Sequence, residues 1–198
     1  MNLPRTPDRK ISLKGGELRY YDAIVDDHQL LLEQLISEID WQQHQITLFG
    51  RSHPVPRLSA WMGDEGADYS YSGLHLKPTA WHTAVASLRN LVSAICDKHF
   101  NAVLLNRYRD GADAMGWHSD DEPELGPSPL VASLSLGATR RFSLKHRRRA
   151  AEEGISLDLA GGSLLVMEPP TQQNWQHCVR PTRRLVAERI NLTFRVIE

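Results

Sequence analysis

Strict alternation of polar and apolar residues characterises the last strand-forming stretch of the chain. From residue 189 to residue 196, every odd-numbered position is polar and every even-numbered position is apolar. Because successive side chains of a strand point to opposite faces, this pattern predicts one polar and one apolar face. A solvated edge strand would show the same pattern, but a guanidinium on such a face also suits an anionic ligand, since it can bind a carboxylate through two parallel hydrogen bonds. The polar face carries Arg189, Asn191, Thr193 and Arg195.

The second half of the chain contains many short strand-forming segments separated by turn residues. Such a series favours an antiparallel sandwich or jelly roll, with the helices of the first half covering one sheet. The predicted strands are Ala102–Tyr108, Met115–His118, Leu130–Leu136, Arg141–Lys145, Ser156–Leu159, Ser163–Met167, Gln176–Val179 and Arg189–Ile197.

Two helices are predicted in the first half of the chain. The first begins after Asp26 or Asp27, since either aspartate is a suitable N-cap residue. The second extends from about Thr79 to Asp97, and its apolar residues recur every three or four positions, as one core-facing stripe requires. This stripe, which places Trp81 in the core, consists of Trp81, Val85, Leu88, Val92 and Ile95.

Outside the two helices, the first half is expected to form strands and loops. We expect Met1–Gly16 to be a loose arm and Leu18–Val25 to be a short strand. Prolines and glycines interrupt the segment between the helices, which also holds several of the chain's aromatic residues. Aromatic side chains are often half-buried on strands, whereas exposed rings would form a stacking wall for a planar ligand. This segment alone favours half-buried positions for Trp61, Tyr69 and Tyr71.

Composition and charge indicate an ordinary globular protein. The chain has 198 residues, which suits one domain with a proper core, and its formal net charge is -1. Any affinity for nucleic acid must therefore come from local basic patches. The two cysteines, Cys96 and Cys178, form neither a disulfide framework nor a metal-binding spacing, and no signal peptide or membrane-spanning run is evident. We expect a monomeric cytoplasmic protein with no membrane partner.

A histidine and a carboxylate follow the predicted strand Ala102–Tyr108. His118 and Asp120 are two residues apart, so on a strand they share one face. They supply two of the three ligands of the 2-His-1-carboxylate site, which holds Fe(II) and leaves coordination positions open. A solvated histidine beside an acid is the commoner outcome of this motif, so the metal-site hypothesis depends on a third ligand elsewhere in the chain. The candidate is His177, which precedes the arginine-bearing strand.

Together these motifs resemble the AlkB family of Fe(II)- and 2-oxoglutarate-dependent dioxygenases. The resemblance covers roughly Phe49 to the carboxyl terminus, and its most specific part is the closing Asn-Leu-Thr-Phe-Arg. The branch that contains the mammalian DNA-repair homologues two and three is especially similar. The motifs that carry the resemblance are Asn106-x-Tyr108, His118-Ser119-Asp120, the distal His177 and Arg189-Ile-Asn191-Leu-Thr-Phe-Arg195, with Val55-Pro56-Arg57, Tyr69-x-Tyr71-Ser72-Gly73 and Asp120-Asp121-Glu122 for the branch.

The resemblance implies a role for each matching residue. His118, Asp120 and His177 would bind Fe(II) and act in catalysis. Arg189 would hold the distal carboxylate of 2-oxoglutarate, in a site formed by Asn106, Tyr108, Arg189, Asn191, Thr193 and Arg195. Tyr71 and His118 would sandwich the target base and Glu122 would meet its polar edge, in a substrate site that includes Phe49, Arg57, Trp61, Tyr69, Tyr71, Asp121 and Glu122.

The resemblance also implies a fold and a reaction. The fold is a double-stranded β-helix, or jelly roll, in a single domain over residues 1–198. Helices and a nucleotide-recognition lid would occupy about 1–100, and the catalytic core about 101–198. The implied reaction is demethylation of 1-methyladenine and 3-methylcytosine in single- or double-stranded DNA by O2 and 2-oxoglutarate, giving succinate, CO2 and formaldehyde. A base within a duplex must first be flipped out, and Phe49 falls where duplex-acting members place a hydrophobic finger.

Two basic clusters are candidates for contact with nucleic-acid phosphates. Ordinary solvated charge runs would look the same in sequence. The first cluster is Arg140, Arg141, Lys145, His146, Arg147, Arg148 and Arg149, and the second is Arg180, Arg183 and Arg184.

Two alternative functions stay open. One keeps the oxygenase chemistry but applies it to RNA, a protein side chain or a small molecule. The other is a non-catalytic module that has kept the fold. Loss of a metal ligand or of Arg189 would have indicated such a module, and all of these residues are present.

Overall fold

The computed structural model describes residues 5–48, 51–71, 74–148 and 152–198, with side chains except at 47, 48, 51, 71 and 74. The α-helices within these ranges are α1 (His28–Glu38), α2 (Thr83–Cys96) and the short α3 (Thr171–Asn174), and a 3-10 helix covers Pro123–Leu125. The strands are β1 (Arg9–Leu13), β2 (Gly16–Tyr21), β3 (Gln45–Leu48), β4 (Arg51–Pro54), β5 (Leu58–Gly63), β6 (Tyr69–Tyr71), β7 (Leu74–Leu76), β8 (Ala102–Tyr108), β9 (Met115–His118), β10 (Val131–Gly137), β11 (Arg140–His146), β12 (Ile155–Leu159), β13 (Leu164–Glu168), β14 (Trp175–Val179) and β15 (Arg189–Arg195).

Two antiparallel sheets form the body of the described structure. The large sheet has the strand order β1-β2-β13-β10-β15-β8-β5, and the small sheet has the order β12-β11-β14-β9. Strands that are distant in sequence are neighbours in both sheets, as in a jelly roll. The predicted double-stranded β-helix is therefore confirmed, and all eight strands predicted in the second half are present. Two hairpins, β3-β4 and β6-β7, lie outside the two sheets.

The two long helices pack against the outer face of the large sheet. Helix α2 buries the stripe of Val85, Leu88, Val92 and Ile95, which contacts apolar residues of the large sheet and of α1. Trp81 precedes α2, because the helix begins at Thr83 and not at Thr79, and it packs partly buried against the same core. None of the helices in the described ranges is long and apolar enough to span a membrane.

Strand β15 lies in the middle of the large sheet, between β10 and β8. Its apolar residues Ile190, Leu192 and Phe194 belong to the core beneath the helices. Its polar residues are buried too, so they face the small sheet and not solvent. The solvated-edge interpretation of this strand is therefore wrong, because a central strand is covered by a neighbour on each side and by a layer on each face.

Two expectations about the first half need correction. The segment expected to be a loose arm contains β1, which pairs with β2 at the edge of the large sheet. The strand expected at Leu18–Val25 is β2, and it ends at Tyr21. The large sheet also includes β5, so the first hundred residues contribute strands to the same sheet as the second half.

Candidate metal and co-substrate site

A single pocket between the two sheets contains every residue that the sequence assigned to the metal and to the co-substrate. It is lined from the large sheet by strands β8 and β15 and from the small sheet by β9 and β14. These residues are Asn106, Tyr108, His118, Asp120, His177, Arg189, Asn191, Thr193 and Arg195.

Pairing of β9 with β14 brings the three candidate metal ligands together. His118, the last residue of β9, lies directly across from His177 on β14. The two imidazole rings are 4.3 Å apart between centroids, and Asp120 follows just beyond the end of β9. One ligand atom from each of His118, Asp120 and His177 lies within 4.8 Å of the others. A divalent ion at their centre could contact all three.

Both histidines are held neutral, and His118 has the tautomer that can bind a metal through Nε2. The Nδ1 atom of His118 is 2.9 Å from the carbonyl oxygen of Gly116, which can only accept a hydrogen bond. Nδ1 therefore carries the proton, and the lone pair of Nε2 is free for a metal. Burial lowers the pKa of both imidazoles, that of His177 to about 3.

The Asp120 carboxylate is ionised although it is buried. Burial alone would raise its pKa, but the Arg195 guanidinium outweighs burial and lowers the pKa to about 2. Arg195 Nη2 donates to Oδ1 of Asp120 at 2.5 Å, while Oδ2 lies 3.7 Å from Nε2 of His177. Arg195 thus fixes one carboxylate oxygen and leaves the other directed toward the histidine.

Arg189 is a buried guanidinium that lacks a carboxylate partner among the described residues. Only 1% of its surface is exposed, and Nη2 donates to the Ser135 hydroxyl at 2.9 Å. Its Nε and Nη1 atoms have no hydrogen-bond partner in the described part of the chain, and the nearby ring of Tyr108 lies 5.2 Å from the guanidinium carbon. A buried charge is costly unless it is paired, so this arrangement fits an anionic ligand.

Hydrogen bonds hold the remaining polar residues of the pocket in place. Asn191 donates to the Ser133 hydroxyl at 2.7 Å and accepts from Thr193 at 2.9 Å. Asn106 accepts from Arg57 Nε at 2.7 Å. The amides are therefore held at fixed orientations around Arg189, as a preorganised binding site requires.

These residues fit the groups that the sequence predicts. Two neutral imidazoles and one carboxylate are a donor set that suits Fe(II) and leaves coordination positions for other ligands. The unpartnered guanidinium nitrogens of Arg189 suit one carboxylate of a dicarboxylic acid such as 2-oxoglutarate.

Comparison with known proteins decides the family. Residues 22–195 match the model of the 2OG-Fe(II) oxygenase superfamily. The chain is 42% identical over 172 residues to mouse (Mus musculus) DNA oxidative demethylase ALKBH2, covering 84% of this chain and 72% of that protein. It is 37% identical over 211 residues to human (Homo sapiens) alpha-ketoglutarate-dependent dioxygenase alkB homolog 3, covering 98% of this chain and 73% of that protein. The chain belongs to the AlkB family of 2OG-Fe(II) oxygenases.

The fold of this AlkB-family protein is also found in solved structures. The OsALKBH1 structure superposes with a TM-score of 0.65 at 16% identity, covering 95% of this chain and 100% of that chain. A 2OG-Fe(II) oxygenase family oxidoreductase from Burkholderia pseudomallei gives a TM-score of 0.58 at 13% identity, covering 90% of this chain and 84% of that chain. At these identities the likeness concerns the fold alone.

Two aromatic residues of the expected substrate site of the AlkB-family protein are buried. Trp61 and Tyr69 stack on each other with centroids 4.8 Å apart, and their exposed fractions are 4% and 1%. The Trp61 indole donates to the Ala67 carbonyl oxygen at 2.8 Å, and Arg195 lies over the Tyr69 ring at 5.3 Å. The structure therefore corrects the expectation that these two rings contact substrate, since neither has a free face for a base. Tyr69 packs directly against the Arg195 guanidinium, and Trp61 packs against Tyr69.

Acidic residues next to the metal ligands differ in position. Glu122 is half-buried and accepts a hydrogen bond from the Tyr69 hydroxyl. Burial and the neighbouring charge of Asp120 raise the pKa of Glu122. Asp121 is more exposed and forms an ion pair with Arg147, and it does not line the pocket of the metal ligands. Neither residue lines that pocket, but Glu122 is the more buried of the two and lies beside Asp120 and Tyr69.

Three other residues of the expected substrate site have different outcomes. Arg57 is buried and bonds Asn106 and the Ala114 carbonyl oxygen, so it supports the co-substrate residues instead of facing a base. Tyr71 ends strand β6, but its side chain is outside what the structure describes. Phe49 lies outside the described residues altogether.

The sequence did not reveal several residues that complete the pocket. Ser133 and Ser135 on β10 accept hydrogen bonds from Asn191 and Arg189. Their alternation with leucines is a signal that could have placed both on one face of the strand. The Phe142 ring stacks on His177 at 5.2 Å. Gln172 contacts two metal ligands. No local pattern marks Phe142 or Gln172, because their roles depend on how distant strands pair.

The basic clusters are not uniform. Arg140 is buried and donates to the carbonyl oxygens of Asp110, Asp113 and Arg180, so the structure corrects its assignment to phosphate contact. The exposed Arg141 pairs with Asp158, and Arg147 pairs with Asp121. Arg149 lies outside the described residues.

Two cations of these clusters pack against one aromatic ring. Lys145 Nζ is 4.5 Å and the Arg180 guanidinium carbon 5.3 Å from the centre of the Trp117 ring. Within the described residues neither cation forms an ion pair with a carboxylate. Because Trp117 precedes His118 on β9, an edge strand of the small sheet, this cationic surface lies on the opposite face of the strand that carries a metal ligand.

Proposed function

We propose that this protein is an Fe(II)- and 2-oxoglutarate-dependent demethylase of N-alkylated bases in DNA, acting on 1-methyladenine and 3-methylcytosine. The observation that carries the proposal is the pocket in which the His-Asp-His cluster lies beside the buried Arg189 guanidinium, two nitrogens of which have no partner among the described residues. The names of the relatives support the substrate, since mouse ALKBH2 is a DNA oxidative demethylase. The products are succinate, CO2, formaldehyde and the unmodified base.

The protein's own residues bind, orient and shield the reactants. His118, Asp120 and His177 hold Fe(II), which with O2 and 2-oxoglutarate supplies the oxidation of the N-methyl carbon. Arg189 binds the distal carboxylate of 2-oxoglutarate through its free nitrogens. Arg195 keeps Asp120 ionised and oriented. The cluster and Arg189 line one pocket without a residue from a second copy, and we propose that the protein acts as a monomer.

Glu122 is the residue best placed to meet the polar edge of the base. It lies two residues beyond Asp120 and is half-buried. The methylated bases carry a positive charge, so two nearby carboxylates favour them over the uncharged bases. We propose that the hairpins β3-β4 and β6-β7, with Tyr71 at the end of β6, form the lid over the base.

The surface formed by Lys145, Arg180 and Trp117 supports nucleic acid as the substrate. We predict that changing both Lys145 and Arg180 to glutamine weakens binding to a single-stranded oligonucleotide and lowers the slope of log affinity against log salt. Each phosphate contact on a single strand accounts for about 0.7 of that slope, so the expected reduction is roughly 1.4. Turnover of a methylated nucleoside, which has no phosphate, should not change.

A matched control removes two positive charges elsewhere. Arg9 and Lys10 are exposed residues of β1, at the edge of the large sheet. Changing both to glutamine should leave the salt slope unchanged if the contact is specific to the Trp117 surface. An equal reduction in both double variants would show that only net charge matters.

A further prediction concerns Phe49. Flipping a base out of a duplex costs about a few kcal/mol per unstacked step. An apolar wedge that fills the gap can replace the lost stacking. We predict that Phe49→Ala lowers repair of double-stranded DNA while leaving repair of single-stranded DNA and the melting temperature nearly unchanged. Equal loss on both substrates, with a clear drop in melting temperature, would show that Phe49 belongs to the core.

A competition among substrate classes tests the proposed function. Formaldehyde release should be measured from 1-methyladenine in DNA, from the same lesion in RNA, and from methylated nucleosides and methyl-lysine peptides. The proposal requires the highest rate on DNA. A higher rate on RNA, on the peptide or on the nucleoside would assign the enzyme to that substrate instead.

A further inference from the structure

The short helix α3 places a buried amide beside the metal ligands. Helix α3 joins β13 to β14 and contains Gln172, of which 1% of the surface is exposed. Its side-chain oxygen accepts a hydrogen bond from the backbone N–H of Asp120 at 3.0 Å and lies 3.1 Å from Nε2 of His177. One oxygen atom therefore contacts two of the three candidate ligands.

The orientation of this amide is fixed by its partners. The backbone N–H of Asp120 can only donate, so the atom facing it must be the oxygen of Gln172. The amide nitrogen then faces the sulfur of Met167, which it contacts at 3.3 Å. Because these contacts fix its orientation, the buried amide does more than fill space in the core.

Asp120 needs this support because it lies beyond the strand. The last pair between β9 and β14 is His118 with His177, so no strand pairing holds the main chain at Asp120. Two side-chain hydrogen bonds take its place, from the Asp120 N–H to Gln172 and from the Ser119 hydroxyl to the Trp175 carbonyl oxygen at 3.0 Å. Without Gln172, the Asp120 N–H would be buried without a partner, which costs free energy that a shift of the chain would relieve.

We propose that Gln172 is a positioning residue of the metal centre, which sets the place of the Asp120 carboxylate by holding its main chain. The inference rests on the metal site and does not depend on nucleic acid as the substrate. Residues that orient ligands in this way typically affect metal affinity by about 10- to 100-fold.

The contact with His177 has the opposite influence on metal binding. Nε2 of His177 must carry a proton to donate to Gln172, whereas a nitrogen bound to a metal carries none. Losing this contact alone would therefore favour the metal. If removal of the Gln172 oxygen lowers metal affinity, the loss must therefore come from the displaced Asp120 and not from His177.

The test is a titration of the metal-free protein with Co(II), followed through the absorption spectrum of the bound ion. Gln172→Met has a side chain of similar length but no strong acceptor, and it should bind Co(II) at least about 10-fold more weakly than the wild type. Gln172→Glu keeps an acceptor and should bind Co(II) at least as tightly as the wild type, with the wild-type spectrum. Gln176→Met, on the partly exposed face of β14, is the matched control and should bind normally.

Melting temperatures of the metal-free variants separate positioning from packing. A residue that only packs would favour methionine over a buried glutamate, and it would change the melting temperature without changing the Co(II) affinity of the folded protein. Wild-type affinity in Gln172→Met would overturn the proposal. Weak binding by a folded Gln172→Glu would overturn it as well, even if Gln172→Met failed to fold.

Discussion

An Asp120→Asn variant is expected to fold but to lose most of its Fe(II) affinity and nearly all turnover. An amide is a much poorer ligand for a divalent ion than a carboxylate. Removing a residue that only orients a ligand typically lowers metal affinity or activity by about 10- to 100-fold. Losing a direct ligand should cost more, so turnover should fall by more than about 100-fold. The fold should persist because the amide oxygen can still accept from Arg195, which now donates to Oδ1 at 2.5 Å.

Asp121→Asn is the matched control for this variant. Asp121 adjoins Asp120 and carries the same charge, but it pairs with Arg147 and does not line the pocket. Its Fe(II) affinity and turnover should stay near the wild-type values. Anaerobic Fe(II) titration and formaldehyde release measure both quantities, and full activity in Asp120→Asn would exclude the His-Asp-His cluster as the metal site.

An Arg189→Lys variant is expected to need much more 2-oxoglutarate for half-maximal turnover. Lysine keeps the charge but cannot reproduce the fork of a guanidinium, so one of the paired hydrogen bonds to the carboxylate is lost. A hydrogen bond to a charged group contributes about 1.5–3 kcal/mol, which corresponds to roughly a 10- to 100-fold increase in KM for 2-oxoglutarate. The maximal rate should change much less, since Arg189 is not in contact with the metal ligands.

The control for this variant is Arg141→Lys, at an exposed arginine that pairs with Asp158. It should leave the KM for 2-oxoglutarate unchanged. Succinate formation at increasing 2-oxoglutarate concentrations distinguishes the two variants. Unchanged 2-oxoglutarate dependence in Arg189→Lys would place the carboxylate site elsewhere.

Much of the fold follows from local patterns, but the arrangement of the strands does not. The alternation in β15 predicted its two faces correctly, yet it could not show that β15 lies between β10 and β8. That placement depends on pairing between residues far apart in the chain. Strand β1 was missed for a related reason. It is short and mostly polar, so its sequence gives no clear strand signal, and its pairing with β2 at a sheet edge is what forms the strand.

The candidate site shows the same division. His118 and Asp120 were recognised from their spacing, although Asp120 lies past the end of β9 and is held by Gln172 and not by strand geometry. For Trp61 and Tyr69 the segment itself favoured half-buried positions on strands, whereas the resemblance placed both residues in the substrate site. The packing of one ring on the other decided for burial.

The most direct measurement is the ratio of succinate to formaldehyde formed on single-stranded DNA that contains 1-methyladenine. The metal and co-substrate residues share one pocket, so oxidation of 2-oxoglutarate and removal of the methyl group should be coupled. We expect equal amounts of the two products, dependent on Fe(II) and on 2-oxoglutarate, and nearly none from Asp120→Asn. Succinate without formaldehyde from 1-methyladenine or 3-methylcytosine, in either single- or double-stranded DNA, would contradict the proposed function.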